Sequence, residues 1–144
     1  AIEEDMKGCV WIATNKGQVW RSTSTVLSEN TSFVPWTKGI KVNENYRIYK
    51  DRNGCLWLGD EHAGVLYIDP VTEKVESYKL APAGRTNFSA SIRQFCLDSR
   101  NRLWIATAEG LILFDSKGNT SRLVQLEDKG VKVKDVRAVA EDKE

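Results

Sequence analysis

Three apolar runs set the pattern of this chain: Cys9-Val-Trp-Ile-Ala13, Cys55-Leu-Trp-Leu-Gly59 and Leu103-Trp-Ile-Ala-Thr107. Each is short, rich in β-branched and aromatic residues, and bounded by turn residues, which is the signature of strands. Strand side chains alternate faces, so apolar residues at successive positions predict strands buried on both sides. Helical periodicity is absent throughout. Ahead of each run stands a polar step, Asp5-Met-Lys-Gly8, Asp51-Arg-Asn-Gly54 or Asp98-Ser-Arg-Asn101. In each, Asp caps the first position of a tight hairpin turn, and Gly or Asn accepts positive φ at its end.

The pattern is a repeat, and a repeat decides the fold before any local argument does. Trp11, Trp57 and Trp104 are 46 and 47 residues apart, and Gly17, Gly64 and Gly110 follow them by six or seven. Apolar lead-ins precede the later aspartates: Tyr46-Arg-Ile-Tyr-Lys-Asp51, Ile92-Arg-Gln-Phe-Cys-Leu-Asp98 and Val136-Arg-Ala-Val-Ala-Glu-Asp142. The first lead-in is shortened to Ala1-Ile-Glu-Glu-Asp5, which matches Ala138-Val-Ala-Glu-Asp142. Each period then holds four strands. In the third they are A at 92–97, B at 103–107, C at 110–115 and D at 121–126. Four short antiparallel strands per period of about 45 describe a β-propeller blade. The expected fold is all-β: a propeller segment of about three four-stranded antiparallel blades plus the inner strand of a fourth. The blades fall at about 1–45, 46–91 and 92–135, and the fourth begins at about 136–144.

Composition fits a folded domain and removes some functions. The chain has 144 residues, 41% of them hydrophobic, with 21 Lys and Arg against 20 Asp and Glu. A net charge of +1 leaves no electrostatic footprint for nucleic acid or anionic lipid. The longest purely apolar run, Cys9–Ala13, is far short of the roughly 20 residues of a membrane helix. The opening Ala1-Ile-Glu-Glu-Asp5 has neither Met nor a basic-then-apolar leader, and reads as a mature or excised segment.

The string from Ile92 to Asp115 resembles the two-component regulator propeller repeat. Tyr46 to Asp69 is a second copy and Ala1 to Ser22 a shortened third. The resemblance implies an extracytoplasmic, periplasmic sensor region of the kind found in Bacteroides-type hybrid two-component systems. Such regions precede a membrane helix, a histidine kinase and a response regulator, and many respond to oligosaccharides. Asp60 departs from the family pattern, which usually has Thr there, as do Gln18 and Arg102.

Candidate site residues come from two sources. Arg47, Arg93 and Arg137 each stand second in strand A, the channel-lining strand, and offer either a ring of guanidinium groups or a repeated bridge between blades; their repetition favours the bridge. Residues that break the repeat are better ligand candidates, and Asp60-Glu61-His62 in the second B–C loop does so. Asn45, Arg47 and Arg93 complete the candidate ligand-binding set with Asp60, Glu61 and His62. The expected binding face is made by the D–A and B–C loops at 15–16, 41–45, 60–63 and 83–91. Asp5, Asp51, Asp98 and Asp142 are spread one per blade, which suits turns and not paired-carboxylate or Ca²⁺ chemistry. His62 is the sole histidine, so no multi-histidine metal site can form, and no cofactor is expected. Trp20 counts into line with Tyr67 and Leu113 as core. Trp36 and Phe33 fall in an outer strand, and Tyr78 and Phe88 also lie outside the repeat register. For these aromatics core packing or a contact with a neighbouring domain outweighs a sugar platform. Cys9, Cys55 and Cys96 read as small buried apolar residues, since their spacing fits no zinc or redox motif. The sequons at Asn30, Asn87 and Asn119 lie in loops and carry no weight. Nucleophile elbows and phosphate loops are absent.

The reading that follows is a non-catalytic piece of a ligand-sensing propeller that regulates transcription through its parent, with an oligosaccharide as ligand. The alternatives are a protein-interaction propeller in an assembly or secretion system and, ranked last, a metal-dependent propeller hydrolase or lyase. Propellers close with about four to eight blades. Three blades therefore predict open faces, to be covered by other blades of a parent chain or by a second copy.

Overall fold

A computed structural model describes residues 1–41 and 44–142. Three four-stranded antiparallel sheets follow one another along the chain, each with its strands in sequence order. The first holds β1 (Ile2–Glu4), β2 (Val10–Ala13), β3 (Val19–Ser22) and β4 (Phe33–Trp36). The second holds β5 (Arg47–Lys50), β6 (Leu56–Gly59), β7 (Gly64–Ile68) and β8 (Val75–Lys79). The third holds β9 (Ile92–Leu97), β10 (Leu103–Thr107), β11 (Gly110–Asp115) and β12 (Thr120–Val124). These are the three blades, and the A, B and C strands of the third have the bounds their sequence predicts. An additional two-stranded ribbon, β13 (Glu127–Asp128) and β14 (Val131–Lys132), stands in the stretch expected to be plain connection.

The A–B turns show why Asp and Trp recur six residues apart. In the second blade the Gly54 N–H donates to the Asp51 carbonyl at 3.0 Å, and Gly54 sits at φ 76°. Asp51 Oδ1 accepts the N–H groups of Asn53 and Cys55, while Oδ2 accepts the Trp57 indole N–H at 3.2 Å. Asp5 and Asp98 do the same for Trp11 and Trp104, at 2.8 and 2.9 Å. One carboxylate thus closes the hairpin and holds the B-strand tryptophan. All three aspartates are buried, and a buried carboxylate needs this many donors.

The chain divides into two compact units. One comprises Ala1–Asp60 and Val65–Ser77; the other comprises Glu61–Gly64 and the chain from Tyr78 onward. In the first unit blades 1 and 2 share a core. Trp11, Ala13 and Val19, with Trp36 beside them, face Tyr46, Leu56, Leu58, Leu66 and Ile68, backed by Ile48 and Val75. Rows of the ladder explain the split, since Trp11 and Ala13 point to one face of blade 1 and Ile12 to the other. Strand β6 is buried at every position, as its continuous apolar run predicts, whereas β2 alternates buried and half-buried.

The register corrects two alignments by one residue. Trp57 stands opposite Tyr67 and Trp104 opposite Leu113, but Trp11 stands opposite Arg21, so Arg21 and not Trp20 is their equivalent. Arg47 pairs with Gly59, two past Trp57, while the residue two past Trp104, Ala106, pairs with Gln94. The register shifts between Ala106 and Thr107, so Arg93 is a bulged residue and not the counterpart of Arg47. Arg137 lies outside any strand.

Residues 136–142, expected as the inner strand of a fourth blade, run along blade 3 without a strand ladder. The Val136 N–H donates to the Thr107 carbonyl at 3.0 Å, and Val139 N–H to Gln94 Oε1 at 2.7 Å. The other inner strands draw their ladder from strand B of their own blade, and among the described residues this segment has no such partner.

Candidate functional site

Each blade turns from strand B to strand C through a residue at positive φ six positions after the tryptophan. Gly17 and Gly110 fill that place in blades 1 and 3, at φ 71° and 135°. In blade 2 it is filled by Ala63, at φ 62°, and not by the neighbouring Gly64. A Cβ in the left-handed region is strained, and surrounding structure must hold it there. Ala63 is fully buried, donates its N–H to the Ala90 carbonyl and accepts the Leu80 N–H, both at 2.9 Å. The repeat-breaking turn is therefore clamped between the two ends of the D–A connection 80–90. In blade 3 a different turn residue is held on both sides: Ala108, two before Gly110, donates its N–H to the Ser91 carbonyl at 3.0 Å and accepts the Asp135 N–H at 2.9 Å.

This clamp gathers B–C and D–A loops at one end of the second unit. Glu61 and His62 are exposed there, and Ser89 Oγ lies 3.5 Å from His62 Nδ1. Arg85 and Lys134 flank Glu109, at 4.0 and 3.3 Å. Arg93, partly exposed, meets Asp135 at 3.4 Å, and Asp135 is also held by Arg137 at 2.6 Å. Arg93 and Arg137 thus share one acid instead of serving successive blades. Polar and charged groups of both signs, carried on short clamped loops, suit hydrogen bonding to a neutral polar ligand better than capture of an ion.

The remaining predicted residues belong to the first unit. Arg47 and Asn45 are half-buried, and Asp60 is buried at the end of β6. Between them Tyr46 is buried, its hydroxyl oxygen accepting the Lys41 N–H at 2.8 Å. Burial raises the Tyr46 pKa above its ordinary value, and the charges of Asp60 and Glu44 add to the rise. Thr107, the counterpart of Asp60 in blade 3, shows what that position does for the repeat. Its hydroxyl donates to the Gly110 carbonyl at 2.8 Å and accepts the Glu109 N–H at 3.2 Å. A carboxylate can accept but not donate, so Asp60 cannot copy that cap. Asp60, Asn45 and Arg47 therefore share one unit, and Glu61, His62 and Arg93 the other. Of the expected loop 41–45, residues 42 and 43 lie outside the described residues.

Trp36, Tyr78 and Phe88 pack inward, whereas Trp20, expected in the core, is half-exposed. Trp36 packs on Trp11 with ring centroids 4.8 Å apart, and Tyr78 meets Phe114 edge-on at 5.3 Å. Phe88 is buried, and Phe33 is half-buried in β4. Cys9 and Cys55 are buried as expected, but Cys96 is partly exposed. Burial first, and nearby negative charge, lift the Cys55 thiol above its usual range, against a lowering hydrogen bond with Tyr67. Sequence reasoning placed Ser89 only within the loop 83–91 and singled out neither Glu109 nor Asp135 for the site. The clamp that assembles them is made of backbone groups, which leave no mark on side-chain patterns.

Comparison with known proteins follows from this geometry. The repeat family described as two component regulator propeller matches the chain twice, over residues 39–62 and 88–109. The two matches together cover about a third of the chain. Each matched segment spans an A–B turn or the strands beside it, where the Asp–Trp pair sits. Solved structures give the same fold. The extracellular domain of the hybrid two component system BT4673 of B. thetaiotaomicron superposes with a TM-score of 0.67 at 22% identity, over 90% of this chain. That of BT3049 from the same organism gives 0.61 at 22% identity, also over 90%. The chain spans only 16% and 15% of the lengths of those two domains. No curated protein matches it in sequence.

Proposed function

We propose that this chain is a sensing portion of the extracytoplasmic propeller of a hybrid two-component regulator, and that it binds an oligosaccharide rather than catalysing a reaction. The observation that carries the reading is the double match to the regulator propeller repeat, on a fold shared with extracellular domains of such systems. The ligand class is argued from the loop end of the second unit. Glu61, His62 and Ser89 offer donors and acceptors there, and a clamped turn fixes them before binding, which limits the ordering cost. Sugars are recognised by such hydrogen-bonding groups, and water bridges fill the gaps.

In this reading Asp60, Asn45 and Arg47 form a second set of contacts on the first unit, and ligand occupancy is passed to a histidine kinase and so to transcription. The protein lies in the periplasm. Calorimetry of the intact ectodomain against a panel of plant and host oligosaccharides tests it. One ligand should bind with micromolar affinity, weakened about tenfold or more by Glu61→Ala or His62→Ala, the loss of one or two hydrogen bonds. Absence of heat with every glycan, or binding indifferent to both substitutions, overturns the assignment of ligand or site respectively.

A further inference from the structure

The B–C turns of blades 2 and 3 present non-repeating residues at one and the same place. Ala63 and Gly110 hold the positive-φ position, so His62 and Glu109, each one residue earlier, are counterparts. Glu109 also lines a notch of about 40 Å³ at the loop end of blade 3. Leu123, Leu126 and Val133 supply apolar lining, and Arg85 and Lys134, 4.0 and 3.3 Å from Glu109, complete its polar side. All of the lining falls between Arg85 and Lys134. The notch is fixed before anything enters it. The Val133 N–H on the Leu126 carbonyl at 2.8 Å closes the base of the β13–β14 ribbon. The Asp135 N–H on the Ala108 carbonyl at 2.9 Å then ties the ribbon to the B–C turn. A preformed lining lowers the ordering cost of binding.

We propose that this notch receives the hydroxymethyl arm of a hexose. It is a second subsite of the oligosaccharide site that Glu61, His62 and Ser89 begin one blade earlier, and the inference rests on that reading of the loop end. Size and chemistry both select this group. One water needs about 10–15 Å³ of such space, so the notch admits about three waters or one CH₂OH group, and not a sugar ring. The methylene fits the leucine and valine lining. A hydroxyl both donates and accepts, and so matches a wall where a carboxylate accepts while an arginine and a lysine donate. A carboxylate in its place has no proton for Glu109 and sets a like charge beside it. A pentose has no arm to insert, and a site built to hold a hydroxyl discriminates against ligands that lack it.

Amide NMR of the whole chain, titrated with methyl glycosides, tests this. The methyl glycosides of glucose, galactose and mannose carry the arm; that of xylose lacks it, and that of glucuronic acid replaces it with a carboxylate. At least one of the three hexosides should shift the Gly110 and Lys134 N–H resonances with a millimolar dissociation constant. The xyloside and the glucuronide should bind there about tenfold or more weakly, the effect of losing one or two hydrogen bonds. Glu109→Ala should erase that preference, and Glu109→Gln, which keeps an acceptor oxygen, should retain most of it. Hexosides that leave both resonances unmoved overturn the proposal. So does a xyloside or glucuronide that binds as well, or a preference indifferent to Glu109→Ala. The remaining amide resonances show that each variant is folded. Glu61 and His62 are read in the same titration. If they shift while Gly110 and Lys134 do not, the notch assignment fails and the oligosaccharide reading stands. If Gly110 and Lys134 alone shift, the notch stands and the assignment of Glu61 and His62 fails.

Discussion

Asp5, Asp51 and Asp98 each spend one carboxylate oxygen on the turn and the other on a tryptophan, and this division makes them sensitive to small changes. Asn in place of Asp51 keeps an acceptor for the Asn53 and Cys55 N–H groups but turns an NH₂ toward the Trp57 indole, setting donor against donor. Asp51→Asn should therefore cost about 1–3 kcal/mol in urea unfolding, the penalty of a buried donor left unsatisfied. Asp98 adds a pH dependence. Burial alone raises its pKa, but the Trp104 indole, the Arg102 backbone N–H and the Arg102 side chain outweigh burial and bring it from 3.8 to about 2. A carboxyl with a depressed folded pKa stabilises fully above its unfolded value and loses that contribution as pH falls through the folded one. The melting temperature should accordingly drop between about pH 4 and pH 2, and Asp98→Asn, already uncharged, should show a shallower drop over that window.

At the level of turns and strands, much of the structure was legible because backbone and side chain ask for the same thing. Consecutive apolar residues in β10 and β11, bounded by Asp98–Asn101 and by Asp115, fix their limits without ambiguity. What counting along the chain could not register is a change of one residue in the ladder. The bulge at Arg93 and the position of Ala63 both hide in segments whose residue types look equivalent between blades. A bulge is decided by hydrogen bonds, not by side-chain type. The ribbon β13–β14 escaped for a similar reason: Glu127, Asp128 and Lys132 carry no strand signal, and Lys129 and Gly130 at φ 51° and 81° make the hairpin instead. Position, and not just φ, sets the value of a turn glycine. Gly54 and Gly84 have the same φ of 76°, but a Cβ on Gly54 would strike the Met6 side chain while one on Gly84 meets nothing within 4 Å. Gly84→Ala should cost about 1 kcal/mol for conformation alone. Gly54→Ala should cost about 1–3 kcal/mol more for the clash between the A–B turns of blades 1 and 2, read from paired thermal melts.

Across the molecule, equivalent positions differ in burial from one repeat to the next: Trp11 is fully buried and its counterpart Trp104 half-exposed. The candidate site differs in residue type instead, because Asp60, Glu61 and His62 break the repeat where the fold would be served by Thr and a plain turn. Sequence could flag that break but not the backbone clamp on Ala63 that makes it rigid. The cysteines let that difference be read directly. Cys9 and Cys55 are buried, and the Cys55 thiol is further quieted by its raised pKa, whereas Cys96 lies in the groove beside Trp104. Thiolate supply and access both govern reaction with a disulfide reagent. Dilute native protein should therefore react at one thiol quickly and at all three after denaturation. Val139, Ala140 and Glu141 line the same groove, so Val139→Ala should widen access to Cys96 and speed its reaction. A Cys96 rate unmoved by that substitution would place the route to the thiol away from residues 139–141.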